Sequence, residues 1–279
     1  MNWTETTFDT GEVRLHVLEG PASGPPLVFL HGATSSHATW LRLAPHFAEY
    51  RQVFLLDLRG HNLSSRAGGP RAYHLSGFVA DIAAFLRERA AEPAVLVGHS
   101  LGAVVALLTA ADPVGALHLR GVVAEDPPLS IFREDGEADV PGPIQFFTLL
   151  DALKQRAQSW EDVHAEVMNM MPDLPPGVDE IVTNDIHRLD PAFLKFVIQW
   201  GLINAGMDLV QILDAIACPV LLMQADPANG AALSDRDAAL AREWVKRLDL
   251  LPFPGAGHGI HDEQPDKFLA ALEGFLRRL

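Results

Sequence analysis

Gly98-His99-Ser100-Leu101-Gly102 joins a short apolar run, Ala94 to His99, to a stretch rich in alanine, valine and leucine, Leu101 to Ala111. The spacing is that of a G-x-S-x-G turn between a buried strand and a buried helix, which exposes the serine hydroxyl at the sheet's carboxyl end. Glycines at 98 and 102 let the two elements approach without a side chain between them. A serine hydroxyl is a weak nucleophile at neutral pH. It needs a base within hydrogen-bond reach, and the base needs a third group to fix its tautomer. Of the 12 histidines, His258 follows a strand-like segment on the glycine-flanked loop Gly255-Ala256-Gly257-His258. His261 lies close but enters a helix, His99 is locked into the turn, and His31, His61 and His74 read as partners of loop backbone. For the acid, Asp126 and Asp226 both close apolar strands. Glu125 points to the opposite face of its strand by simple alternation.

The elements that would position these groups follow from hydrophobic pattern. Leu27 to His31, Val53 to Asp57, Ala94 to His99, Arg120 to Glu125, Pro219 to Ala225 and Leu248 to Phe253 are continuous apolar runs, as buried parallel strands require. Trp3 to Phe8 and Val13 to Leu18 alternate instead and suit an antiparallel edge, giving an α/β fold with a mostly parallel sheet of about eight strands. His74 to Arg89 and Pro265 to Leu279 carry the three-and-four spacing of helices with one apolar face. Residues 127–217 break this rhythm. They hold helical periodicity without a convincing strand, so the reading is a core of residues 1–126 and 218–279 with a helical cap inserted between core strands.

At this point the chain resembles the α/β-hydrolase family. Phe29-Leu30-His31-Gly32-Ala33-Thr34 looks like that family's His-Gly oxyanion loop, and Asp57-Leu58-Arg59-Gly60-His61-Asn62-Leu63-Ser64 is similar to its D-x-R-G-x-G-x-S turn. Asn62 stands where glycine is usual; asparagine tolerates a left-handed backbone better than most residues. Gly255 to His258, followed by Glu263-Gln264-Pro265, resembles the catalytic-histidine loop. The resemblance implies Ser100 as nucleophile and His258 as base, with the backbone N–H groups of Ala33 and Leu101 as oxyanion donors, each worth about 3 to 4 kcal/mol of barrier. Many members carry the acid in a P-x-L-x-x-x-G-x-x-D pattern, which here places Ala228 at the acid position and Asp226 two residues early. Others place it after the preceding core strand, five residues beyond a glycine, where this chain has Asp126. That pattern favours Asp126.

The implied reaction is hydrolysis of a small, partly apolar ester or lactone through an acyl-enzyme, with no cofactor and no metal. Carbon–carbon bond or amide hydrolysis, cofactor-free haloperoxidase behaviour and a non-catalytic ligand sensor share the same scaffold. Serine at the turn argues against dehalogenase and epoxide hydrolase chemistry, for which the family carries aspartate there. Trp200, Phe147 and Trp40 are candidate pocket residues, and the acidic run from Glu134 to Asp139 reads as a solvated loop. A balance of 21 basic against 36 acidic residues gives a charge of −15, which repels nucleic acid and anionic lipid. The single Cys218 rules out an internal disulfide. With no signal-like start and no membrane-length apolar run, the expectation is a cytoplasmic protein that acts on a small molecule and is open to homo-oligomerisation.

Overall fold

The computed structural model describes residues 2–21, 24–132, 143–200 and 207–279. Its eight strands are β1 (Thr4–Asp9), β2 (Arg14–Glu19), β3 (Leu27–Leu30), β4 (Val53–Leu56), β5 (Ala94–His99), β6 (Leu119–Glu125), β7 (Val220–Ala225) and β8 (Leu248–Phe253). They form one sheet in the order β1-β2-β4-β3-β5-β6-β7-β8. β1 and β2 pair antiparallel, as do β2 and β4, and every other pairing is parallel.

Strands β3 to β7 are apolar without alternation because helices cover both faces. One face packs Phe29, Val95, Val97, Val123 and Leu221 with residues of α1 (Ala44–Phe47) and α11 (Pro265–Leu276). The other packs Val28, Leu30, Leu96 and Val122 with α2 (Leu75–Arg89) and α3 (Leu101–Ala111). The expectation that Leu248 to Phe253 is a buried central strand is corrected. β8 closes the sheet, and Asp249, Leu251 and Pro252 are exposed.

Between β6 and β7 the described residues hold no strand; after a 3-10 turn (Leu129–Phe132) come α4 (Pro143–Arg156), α5 (Trp160–Met170), α6 (Val178–Arg188), α7 (Pro191–Trp200) and α8 (Leu209–Ala215). Helix α9 (Asp235–Trp244) and the single turn α10 (Ile260–Glu263) complete the chain. Polar ties join the inserted helices to the turn after β4. Asp190 N–H donates to the Gly60 carbonyl at 2.8 Å, and the Tyr73 hydroxyl donates to Asp190 at 2.5 Å. Asn62 has φ 41°, and its amide donates to Asp57 at 2.9 Å while its oxygen accepts from Arg188 at 3.0 Å. A glycine at 62 would supply the backbone conformation but neither bond. No helix among the described residues is long and apolar enough to cross a membrane.

Candidate active site

Ser100 sits at φ 51°, ψ −114°, between the end of β5 and the first residue of α3. Such a conformation costs a non-glycine residue on the order of 1–3 kcal/mol and persists only where its surroundings hold it. Here Ser100 N–H donates to the Glu125 carbonyl at 3.0 Å. A β-carbon at Gly98 would lie 2.3 Å from the Gly102 carbonyl oxygen, and one at Gly102 would lie 2.3 Å from that of Leu30. Both glycines are therefore required for strand, turn and helix to close. The α3 N-terminus directs its positive end at the turn.

Asp126 follows β6 directly and has φ 45°. Its buried carboxylate accepts from the amides of Ala225 (3.2 Å), Ala232 (2.7 Å) and Leu233 (3.2 Å), and from His258 Nδ1 at 2.7 Å. Those backbone donors aim the carboxylate and leave His258 as its imidazole partner. With Nδ1–H committed to Asp126, Nε2 of His258 is the ring's free acceptor, the tautomer a base requires. Asp226 is oriented elsewhere. Its oxygens accept from Ala228 N–H at 2.9 Å and Gly255 N–H at 2.8 Å, which hold its carboxyl below the usual range, and it thereby ties the end of β7 to the loop before His258. The structure thus joins Ser100's strand, Asp126 and His258, and it makes Asp226 a loop fastener.

The segment after β3 is organised by His31. Its Nδ1–H donates to the Gly32 carbonyl at 2.7 Å, and its Nε2 accepts from Leu58 N–H at 2.9 Å. Complete burial lowers this ring to about 4, so it stays neutral with that tautomer fixed. Neither Ala33 N–H nor Leu101 N–H donates to a protein group among the described residues, and both residues flank the turn. A β-carbon at Gly32 would lie 2.7 Å from His99 Nδ1 and 3.3 Å from the Ser100 β-carbon. Gly32→Ala is expected to push the two segments apart and lower kcat for a nitrophenyl ester by roughly 30-fold, since a displacement on the order of 1 Å at a reacting centre costs up to ~10²-fold; stopped-flow acylation rates check it.

His61 Nδ1 is bonded to the Arg59 carbonyl, and burial lowers its pKa to about 3. His74 accepts from Ser76 N–H at the start of α2. Trp40 is corrected as a pocket residue. It is fully buried in the core, 5.2 Å from the Phe29 ring and 4.4 Å from His261. Phe147 is buried with the inserted helices, while the Trp200 side chain and the run from Glu134 to Asp139 lie outside the described residues.

Among the described residues, two groups have spacing that could hold a metal ion: His16 with His37 and Asp57, and His99 with Glu125 and His261. Protein donors already serve their carboxylates. Asp57 accepts from His37 N–H and Nδ1, Asn62 and Leu63 N–H. Glu125 accepts from His261 N–H at 2.8 Å and from its Nδ1 at 2.9 Å. This second carboxylate–imidazole pair beside the first was legible only as proximity: two adjacent acids, and two histidines three residues apart.

A strained serine between a parallel strand and its helix, with a carboxylate-bound imidazole delivered from the last loop, is the geometry of an α/β-type hydrolase site. Residues 27–271 match the model of the alpha/beta hydrolase family, and the chain belongs to that family. It is 29% identical over 266 residues to the N-formylmaleamate deformylase of Pseudomonas putida, covering 95% of this chain and 93% of that one. It is 29% identical over 282 residues to the 2-(acetamidomethylene)succinate hydrolase of Mesorhizobium japonicum, covering 96% and 93%. The crystal structure of an N-formylmaleamic acid deformylase from Pseudomonas putida S16 shares the fold, with a TM-score of 0.80 and 22% identity over 97% of this chain and all of that one.

Proposed function

We propose that this protein is a serine hydrolase that transfers the acyl group of a small, partly apolar ester or lactone to Ser100 and then to water. The 2.7 Å bond from His258 Nδ1 to Asp126 carries this reading. His258 Nε2 takes the Ser100 proton as Oγ attacks the carbonyl carbon. The backbone amides of Ala33 and Leu101, together with the α3 terminus, face the charge that develops on the carbonyl oxygen. The imidazolium, stabilised by Asp126, passes its proton to the leaving alkoxide, and the same ring then deprotonates the water that releases the acid. Helices α4 to α8 act as the lid over this crevice. Serine supports acyl transfer over epoxide or halide displacement for a chemical reason. Attack on a saturated carbon would leave an ether on Ser100, which water does not cleave, whereas attack on an acyl carbon leaves a hydrolysable ester.

A second reading, amide hydrolysis, is favoured by the two relatives at 29% identity, whose names carry an N-formyl and an acetamido group. The machinery is unchanged, with nitrogen receiving the His258 proton. A panel of nitrophenyl esters, lactones, N-acyl amides and diketones, run on wild type and Ser100→Ala, tests both. The expected result is a nitrophenol burst equal to the enzyme present and an acylated Ser100 peptide, both absent from the variant. Tight binding of an uncleaved ligand without any burst would identify a ligand sensor instead.

A further inference from the structure

Glu125 and Asp126 are consecutive, yet their carboxylates diverge, because Glu125 is the last extended residue of β6 and Asp126 turns out of the sheet at φ 45°. Each takes a histidine from the same stretch of chain. Asp126 receives His258. Glu125 receives His261, whose main-chain N–H and ring Nδ1 both donate to Oε1 and whose Nδ1 also lies 2.9 Å from Oε2. The second pair is closed to solvent, with Glu125 0% and His261 2% exposed.

Its connections run to each part of the site. The Glu125 carbonyl accepts Ser100 N–H at 3.0 Å. His261 Nε2 meets the Thr39 hydroxyl at 2.8 Å, on the segment that continues the oxyanion loop. The His99 ring lies between those of His258 and His261, at 4.6 and 5.0 Å, and its Nε2–H donates to the His258 carbonyl at 3.0 Å. Gly257 N–H is bonded to Glu263, on the same turn as His261, so the residue before His258 moves with α10. The side chain of Glu125 is the polar tie from α10 to the sheet. Burial alone would lower His261, but Glu125 and then Asp262 raise it above the ordinary histidine value. Burial and the two flanking histidines lower His99, leaving it a neutral spacer.

Desolvating a carboxylate and an imidazole is costly, and apolar side chains would fill the same space without that cost. What the pair supplies in return is direction. We propose that Glu125 and His261 are positioning residues for hydrolysis at Ser100: the buried pair fixes the turn carrying His258 to the strand that ends in Asp126 and holds the Ser100 amide. The proposal rests on the serine-hydrolase reading above, and its test separates the two.

His261→Phe keeps the ring against Trp40 and Phe268 but donates nothing, while His261→Asn keeps a donor where Nδ1 stands. In His261→Phe, kcat for a nitrophenyl ester is expected to fall ~30-fold with KM within about threefold, the cost of a misaligned base. His261→Asn is expected to recover to within about fivefold of wild type, because it restores the directional bond. The substrate-free proteins give an independent readout, the far-downfield proton resonance of His258 Nδ1–H, assigned by its loss in Asp126→Asn. It should persist in wild type and His261→Asn and broaden or vanish in folded His261→Phe. An unchanged resonance with kcat within twofold in His261→Phe overturns the proposal, as does an asparagine variant no better than phenylalanine, or a loss confined to KM. Should His261→Phe fail to fold, Glu125→Gln decides by the same resonance, expected to broaden and fatal to the idea if unmoved. Should wild type hydrolyse nothing, the resonance still tests the positioning while the hydrolase reading fails.

Discussion

Asp126→Asn should lower kcat for any acyl substrate by about 10⁴, the loss expected when a triad imidazole is held in the wrong tautomer, while Asp226→Asn stays within about threefold of wild type on the same scale. The bond pattern gives the reason. An amide oxygen at 126 satisfies Ala225 and Leu233 N–H, which both bond Oδ1. Its NH₂ then faces two donors, Ala232 N–H and His258 Nδ1–H, where a carboxylate oxygen accepted both. The imidazole escapes this conflict by moving its proton to Nε2, and a protonated Nε2 cannot deprotonate Ser100. The Asp226 carboxylate accepts from the Ala228 and Gly255 amides, which an asparagine oxygen also serves in part. Steady-state kinetics of both variants decide between them, and a larger loss in Asp226→Asn would reverse the assignment of the acid.

The two aspartates illustrate where sequence stops being informative. Each closes an apolar strand before a turn-forming proline, and only the spacing from Gly121 favours Asp126. Where each carboxylate points is visible in the structure alone: Asp126 meets His258, while Asp226 meets the Ala228 and Gly255 amides. β6 lies beside β5, and β7 lies one place further out. The strands and the helix after Ser100 were legible because burial on both faces writes itself as an unbroken apolar run. The same rule misplaced Leu248 to Phe253, since the outermost strand of a sheet can be leucine-rich and still exposed. Helix α9, DRDAALAREW, is hard to read in the sequence because its buried apolar residues, Ala238 and Ala241, are small and set among charged ones. Trp40, a pocket candidate by residue type, follows the loop after β3, but the short turn from His37 to Trp40 rotates its indole into the core, against Phe29 and Phe268.

Asp185→Asn should stabilise the protein by about 3–4 kcal/mol at pH 8, with the gain shrinking to ~1.5 kcal/mol or less at pH 5. Asp185 lies on α6, 6% exposed, against the Ser36 hydroxyl, with the charges of Asp57 and Arg188 acting on it. Burial first, and then Asp57, push its carboxyl up to about 7, against the Ser36 and Arg188 interactions that oppose the shift. The sign follows from proton counting. Between about pH 4 and 7 the unfolded chain has lost this proton and the folded chain keeps it, so stability falls as pH rises through that window, by about 1.4 kcal/mol per pH unit. Above pH 7 the full cost is present. Asparagine mimics the protonated carboxyl at every pH and never incurs it. Ser36 lies three residues beyond Ala33, and Arg188 also bonds Asn62, so this carboxyl sits where the inserted helices meet the segment after β3. An ionised carboxylate there faces Asp57, which burial alone would raise but which the His16 and His37 contacts hold well below the ordinary range, and therefore charged. Denaturant unfolding of both proteins at pH 5 and pH 8 measures the difference. A gain of equal size at both values would show that Asp185 is already ionised at pH 5, and would remove the electrostatic cost assigned to this junction.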